Sequence, residues 1–329
     1  HWYLRFRPCG LPTTAWRRYK PCGPTIMRPT LQPKPYYRTM PVPENPHAAQ
    51  RNRIPAFGLI IIGDEILSGK RADKHLPAVI ERLHARGLEL AYADYVGDSR
   101  ARITSSLERA FASSDVVFSC GGIGATPDDH TRQCAALALG VALELQPQAR
   151  LLIEERMCEV AREQGEPFDP DRADNVHRLN MGVFPRGADI IPNPYNKIPG
   201  FSCDAARLTA RGAGVVHFVP GFPVMAWPMI EWVLDQLYAD CFHRSPSIEK
   251  SVIAFGAMEA ALTPLMEDIE RRFATVRVFS LPSVDHPEYG RHIELGVKGD
   301  LANVDAAYLV LLEGLKHRQV QLGPEMVRG

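Results

Sequence analysis

Residues 115–131 read DVVFSCGGIGATPDDHT, and the fold follows from this stretch. An apolar run ends at Cys120, the glycines Gly121, Gly122 and Gly124 let the backbone turn tightly, and Thr126-Pro127-Asp128-Asp129 reads as the opening of a helix from Pro127 to Leu139. A buried strand feeding a helix through a short turn is the βα unit of a parallel sheet. Free amides at such a junction, unobstructed by side chains, can cradle a phosphate. Taken singly, the residues have ordinary readings: Thr126 as N-cap, Pro127 as first helical residue, and acids complementing the helix dipole. Three glycines beside two acids exceed what a helix start needs. Carboxylates next to an anion cradle repel phosphate unless a cation lies between, so Asp128 and Asp129 predict bound Mg²⁺ or Mn²⁺ bridging to a phosphate or pyrophosphate.

The same alternation extends in both directions. Phe57–Ile62 reads as a buried strand, 73–85 as a helix closed by Gly87, 88–96 as an alternating strand and 102–111 as a helix. Strand 141–145, a charged helix over 147–164, strand 214–219 and helix 224–238 follow, while 165–213 is punctuated by Pro and Gly and offers only ADII (188–191) as a strand. After Ser245-Pro246 the pattern restarts as β-α-β-β-α. The expected architecture is an α/β domain with a mostly parallel sheet over 57–244, a small α+β domain over 245–320, and a tail over 321–329.

Other strings fall at turns of this scheme. GDEILSGK (63–70) is close to a phosphate-binding P-loop, but five residues separate Gly63 from Gly69 and Arg71 stands where Ser or Thr should be, so a P-loop is rejected. Asp64 and Glu65 follow the first strand and Asp98 the second, which puts them at the carboxyl edge of the sheet, where ligands of open α/β folds bind. Solvated loop and helix-cap readings of these acids stay open. IPNPYNKIPGF (191–201) and FVPGFP (218–223) are rigid turns without a nucleophile–base arrangement. The histidines are dispersed, and no Ser/His/Asp or Cys/His order is recognisable.

The 38 basic and 38 acidic residues cancel only on average. Residues 1–56 hold ten Lys/Arg against Glu44 alone, +9, and eleven of the 28 prolines; the remainder holds 28 basic against 37 acidic residues, −9. The first segment has no helical or alternating period and is expected to be disordered, an upstream artefact or, alternatively, a basic tether for RNA or another anionic partner. It shows neither the apolar core of a secretory signal nor an uninterrupted Arg-rich helix. The longest apolar runs are too short to span a bilayer, and the body suggests no attraction to nucleic acid. Seven widely spaced cysteines without a CxxC argue against a disulfide framework or a zinc site, so a soluble cytoplasmic protein is expected.

GDEILSGK, VGD, GGIGATPDDHT, NPYNKIPGF and PGFP stand in the order of the molybdopterin-binding domain family, and the chain resembles its CinA (competence/damage-inducible protein) branch over most of 57–320. The resemblance implies a three-layer α/β/α fold with an appended α+β domain, a homo-oligomer, and a small-molecule site for a pterin or nucleotide pyrophosphate. It places Asp64, Glu65, Asp98, Gly121, Gly122, Gly124, Thr126, Asp128, Asp129 and Thr131 at that site. Gly63, Ser68, Asn193, Lys197, Pro199, Gly200, Pro220 and Gly221 join them as ligand-binding candidates. Asp128 and Asp129 would hold Mg²⁺, Mn²⁺ or Co²⁺, with Asp98, Asp129 and Glu65 as catalytic acids and Asp98 or Glu65 as general base. Such domains hydrolyse ADP-ribose-type pyrophosphates; the alternatives are a non-catalytic molybdopterin carrier and a module with a vestigial site. The chain departs from the family at His75, often Asn, at Ala125, often Pro, and at 196–198, where Lys197 could add a cation for the phosphate. No room remains for the nicotinamide-nucleotide deamidase domain of longer CinA proteins, so that activity is expected to be absent.

Overall fold

A computed structural model describes residues 54–209, 212–244 and 247–328. The larger part runs β1 (Phe57–Ile62), α1 (Asp64–Leu67), α2 (His75–His84), β2 (Leu90–Val96), α3 (Arg100–Ala112), β3 (Val116–Cys120), α4 (Thr131–Leu139), β4 (Leu143–Leu145), α5 (Pro147–Gln164), α6 (Ala173–Leu179), β5 (Val183–Pro185), β6 (Asp189–Ile191), β7 (Gly200–Asp204), α7 (Ala205–Leu208), β8 (Val215–Val219) and α8 (Pro223–Leu237). The smaller part runs β9 (Ser247–Phe255), α9 (Glu259–Arg272), β10 (Val276–His286), β11 (Gly290–Asp300), α10 (Leu301–His317) and β12 (Gln321–Arg328).

Every residue of β1, β3 and β8 is buried, because successive side chains of each strand enter opposite layers. Phe57, Leu59, Ile61 and Phe118 pack with Val79 and Leu83 of α2 and with Met229 and Val233 of α8. Ile60, Ile62, Val117 and Phe218 pack on the other side with Ile103 of α3, Ala135 of α4 and Leu152 of α5. Two apolar faces demand two helical layers, and the result is the three-layer α/β/α arrangement. The sheet order is β2-β1-β3-β8-β7-β6. Pairings from β2 through β8 are parallel, whereas β7 runs antiparallel to both of its neighbours.

The punctuated stretch 165–213 holds more structure than its sequence suggests. Only β6 was legible there; β7 was hidden because Gly200 comes so close to its neighbour that an added Cβ would stand 2.3 Å from the Phe218 carbonyl oxygen. Strand β4 lies outside the main sheet, paired with β5 in a two-stranded ribbon. The expected start of α4 at Pro127 is corrected to Thr131. Asp129 N donates to Thr126 O (3.0 Å), and Asp129 Oδ2 accepts from Thr126 N (2.8 Å) and Oγ1 (2.5 Å), which closes 126–129 into a separate turn.

The smaller module is an antiparallel sheet, β10-β11-β9-β12, with α9 and α10 packed on one face. The expectation of a tail over 321–329 is corrected: β12 pairs with β9 along the edge. Leu322 packs on the core, and Arg328 reaches Glu249 and Glu294, both at 2.6 Å. The larger part also begins before residue 57, since Ile54 packs on the core and Ala56 O accepts from Val116 N at 2.9 Å. Apart from 54–56, the readings made for residues 1–56 lie outside the described residues. Among the described residues no helix is long and apolar enough to cross a membrane, and the five described cysteines are free.

Candidate functional site

The segments that follow β1, β2, β3 and β8 open onto one cavity of about 720 Å³ at the carboxyl edge of the parallel strands. Its floor is the turn after β3. Gly121 holds φ +108° and an added Cβ would meet Ile62 O at 2.4 Å; Gly122 holds φ +68° and a Cβ would meet Thr131 Oγ1 at 2.1 Å. No other residue type fits either position without moving its neighbours.

Four successive carbonyls of this turn are fastened to the start of α4. Thr131 Oγ1 donates to Gly121 O (3.2 Å) and Thr131 N to Gly122 O (3.0 Å). Arg132 donates from Nη1 to Ile123 O (2.7 Å) and from Nη2 to Gly124 O (2.8 Å). The peptide bonds are trans and planar, so each amide points opposite to its own carbonyl. The amides of residues 122–125 are thereby turned away from α4, and among the described residues they donate to no protein acceptor. Four consecutive N–H groups without a protein acceptor on a cavity floor have the make-up of a nest that can accept an anion. Burial of Arg132, 5% exposed, lowers its proton affinity, and its two carbonyl partners replace the lost water.

Acids from three turns face the same space: Glu65, Asp98, Asp128 and Asp129 line the cavity. Asp64 N donates to Asp98 Oδ2 (2.8 Å) and Asp98 N to Asp64 Oδ1 (3.2 Å), which laces α1 to the end of β2. Burial raises the Asp98 carboxyl above its ordinary value; the Asp64 amide opposes this, and the charges of Asp64, Glu65 and Asp128 add to the rise. Asp64 and Ser68 line an adjoining cavity of about 560 Å³ that shares Glu65, Asp98 and Asp128 with the first. Among the described residues no three His, Cys, Asp or Glu side chains converge closely enough to cage a metal. The arrangement still suits Mg²⁺, which retains waters and binds through one or two carboxylates together with a ligand's phosphates.

Of the residues expected at the site, Gly63, Glu65, Asp98, Gly121, Gly122, Gly124, Thr126, Asp128, Asp129, Asn193, Pro199, Pro220 and Gly221 line the main cavity. Asp64 and Ser68 line only the adjoining cavity, and three others line neither. Thr131 is fully buried behind the nest and orients it. Gly200 is buried in β7. Lys197, expected as a phosphate cation, adopts φ 64° and turns to α5, where Nζ bonds Glu155 (2.6 Å) and Glu159. Two carboxylates on one helix face hold the ammonium more firmly than an open cavity mouth.

Residues missed in the sequence complete the walls: Arg71, Lys74, His75, Met181, Asn196, Ile198 and Met225. The signal was present in KRADKH (70–75), directly after the rejected P-loop string, as a basic group following the acidic pair. Asn193 spends its amide within the loop, donating to Asn196 Oδ1 (2.8 Å) and Ile198 O (2.9 Å). His75, 5% exposed, makes a 3.0 Å bond from Nε2 to Gly221 O; a carbonyl only accepts, so Nε2 carries the proton, and Nδ1 has no partner among the described residues. Cys120 sits at the cavity base, and burial pushes its thiol far up, which removes it as a nucleophile.

Residues 58–239 match the family described as "Probable molybdopterin binding domain". A CinA-like protein of Anaeromyxobacter sp. (strain K) is 35% identical over 182 residues, covering 55% of this chain and 41% of that protein. Another, from Anaeromyxobacter dehalogenans (strain 2CP-1 / ATCC BAA-258), is 34% identical over 213 residues, covering 64% and 48%. The chain thus spans about half the length of the curated relatives it matches. A crystal structure of the protein CinA from Thermoplasma acidophilum, titled as of unknown function, aligns with a TM-score of 0.45 at 24% identity, covering 55% of this chain and 98% of that one. With the nest, the acids and the cavity edge lying inside the matched segment, the chain belongs to the molybdopterin-binding domain family, on its CinA-like branch.

Proposed function

We propose that the chain is a divalent-metal-dependent pyrophosphohydrolase acting on nucleotide diphosphates of the ADP-ribose type. The observation that carries this reading is the nest of four free amides sharing one cavity with Glu65, Asp98 and Asp128. The nest would take the charge that develops on a phosphoryl oxygen, and as main-chain groups fixed by Thr131 and Arg132 its donors need no reorganisation. Asp98, raised by burial and by neighbouring carboxylates, is the better-tuned general base; Glu65, on the same cavity, is its alternative. Asp129 closes the Thr126 turn and supports the loop that presents Asp128. A bound Mg²⁺, Mn²⁺ or Co²⁺ held by Asp128 with Glu65 or Asp98 would screen the phosphates and acidify a water.

The test is incubation of the full chain with ADP-ribose or FAD and each metal, followed by product analysis. AMP release, lost in Asp98→Asn, supports hydrolysis. A second reading, a molybdopterin-binding protein without turnover, is favoured by the apolar wing of Met181, Ile198, Pro199 and Met225, which would accept a planar pterin. Copurifying pterin fluorescence with no AMP from any substrate decides for it. A homo-oligomer, which the family resemblance implies, is read directly by light scattering.

A further inference from the structure

The cavity holds unneutralised charge of both signs. Arg71 and Lys74 line it together with Glu65, Asp98, Asp128 and Asp129, yet among the described residues neither cation makes an ion pair or side-chain hydrogen bond. Most arginines of the larger part behave differently: Arg82, Arg86, Arg109, Arg150, Arg156 and Arg172 all have carboxylate partners.

The backbone explains why these two stay apart from the acids. Ser68 N bonds Asp64 O (2.8 Å), Gly69 N bonds Ile66 O (3.1 Å) and Arg71 N returns to Glu65 O (3.0 Å), which pins the loop over α1. The neighbouring acid, Asp73, is already engaged. Its oxygens accept from His75 N (2.7 Å), Leu76 N (3.1 Å) and Tyr95 Oη (2.8 Å), which caps α2 and leaves the two cations to the cavity. Lys70 goes elsewhere, to the adjoining cavity.

We infer that Arg71 and Lys74 are the groups by which the site distinguishes a diphosphate from a monophosphate: the nest takes one phosphoryl group, and these two cations take the other. This rests on the diphosphate reading above and assigns its second anion subsite. A guanidinium and an ammonium held without protein partners have no ion pair to break when a phosphate arrives, and each charge-assisted bond adds to affinity. A monophosphate in the nest leaves them in water, so the cations act on the longer ligand alone.

The test is calorimetric titration of the full chain with inorganic pyrophosphate and with inorganic phosphate, both with Mg²⁺. The wild type is expected to bind pyrophosphate at least about tenfold more tightly than phosphate. Arg71→Gln combined with Lys74→Gln should weaken pyrophosphate by about 10- to 100-fold and phosphate by less than about threefold. Lys70→Gln, which removes one positive charge from the adjoining cavity and none from the main one, and the charge-conserving pair Arg71→Lys and Lys74→Arg should retain the preference. The inference is overturned if the glutamine pair keeps the wild-type preference, or if both anions weaken equally, which marks a diffuse field. If the wild type binds neither anion, the diphosphate reading falls as well, which separates the two failures.

Discussion

Asp98 in the cavity and Glu294 in the smaller module are both partly buried carboxylates, and their proton affinities move in opposite directions. Burial raises both. At Glu294 the Arg328 guanidinium and the Ser251 hydroxyl outweigh it and hold the group below its ordinary value. At Asp98 one amide opposes burial while three carboxylates reinforce it. The smaller module spends its charges on itself, with Glu294 bonded to Ser251 Oγ (2.7 Å) and Arg328 (2.6 Å). The cavity gives its carboxylates only amide or hydroxyl partners among the described residues and no cation, as the proposed ion-binding region would require.

The largest test of the difference is one substitution made in both regions. Gly122→Ala would force a Cβ against Thr131 at φ +68° and is expected to cost about 3 kcal/mol together with anion binding. Gly290→Ala has φ +58° but nothing within 4 Å, and should cost about 1 kcal/mol. Urea unfolding of the two variants measures the gap, and equal costs would remove the claim that the nest backbone is constrained by its surroundings.

Next in size, Asp128→Asn should weaken Mg²⁺-dependent pyrophosphate binding by at least about tenfold while leaving unfolding unchanged. Unaltered affinity with and without Mg²⁺ would remove the cation from the proposal.

Acidification should separate the regions by sign. Because Asp98 is raised above 3.8 in the folded protein, its charge disfavours folding above that raised value, and the penalty lifts as pH falls through it. Glu294 is depressed below 4.5, so its stabilising contribution is present above 4.5 and is lost as pH falls through the depressed value. Asp98→Asn should therefore stabilise the protein at pH 7 and do nothing in acid, whereas Glu294→Gln should destabilise it at pH 7 by about 1 kcal/mol, since Arg328 is half exposed. Denaturation series at several pH values read both.

The smallest effect is expected at Lys197. Its ion pairs on α5 are partly solvated, so Lys197→Ala should cost about 1 kcal/mol or less and loosen the Asn193–Pro199 wall.

The division between what was and was not legible in the sequence has physical causes. The buried strands and the Gly-rich turn announce themselves locally: β1 and β3 are uninterrupted apolar runs, and glycines at 121 and 122 mark a backbone that admits no Cβ. Strands β5 and β7 are three and five residues long and contain Pro or Gly, so no period can build up. Thr126-Pro127-Asp128-Asp129 carries every helix-start signal, yet the Asp129 carboxylate turns back onto Thr126 and delays α4. Lys197 and Arg71 show the limit most clearly. Both are cations in loops near the sheet edge, and only tertiary partners decide which one stays available to a ligand: Glu155 and Glu159 claim Lys197, and among the described residues no side chain claims Arg71.

The nest has a consequence for how such a site is read by mutation. Its donors are peptide groups, so no exchange of side chain at Ile123 or Ala125 deletes them. A saturation scan would score exposed Ala125 as permissive although its amide belongs to the proposed anion site, and would score Ile123, buried in the core, for its packing alone. It would flag Gly121, Gly122, Thr131 and Arg132, which would serve the proposed anion only by turning the chain. Replacing a single amide in the turn by an ester, which removes one N–H and leaves every side chain in place, is the change that would expose the recognition chemistry itself.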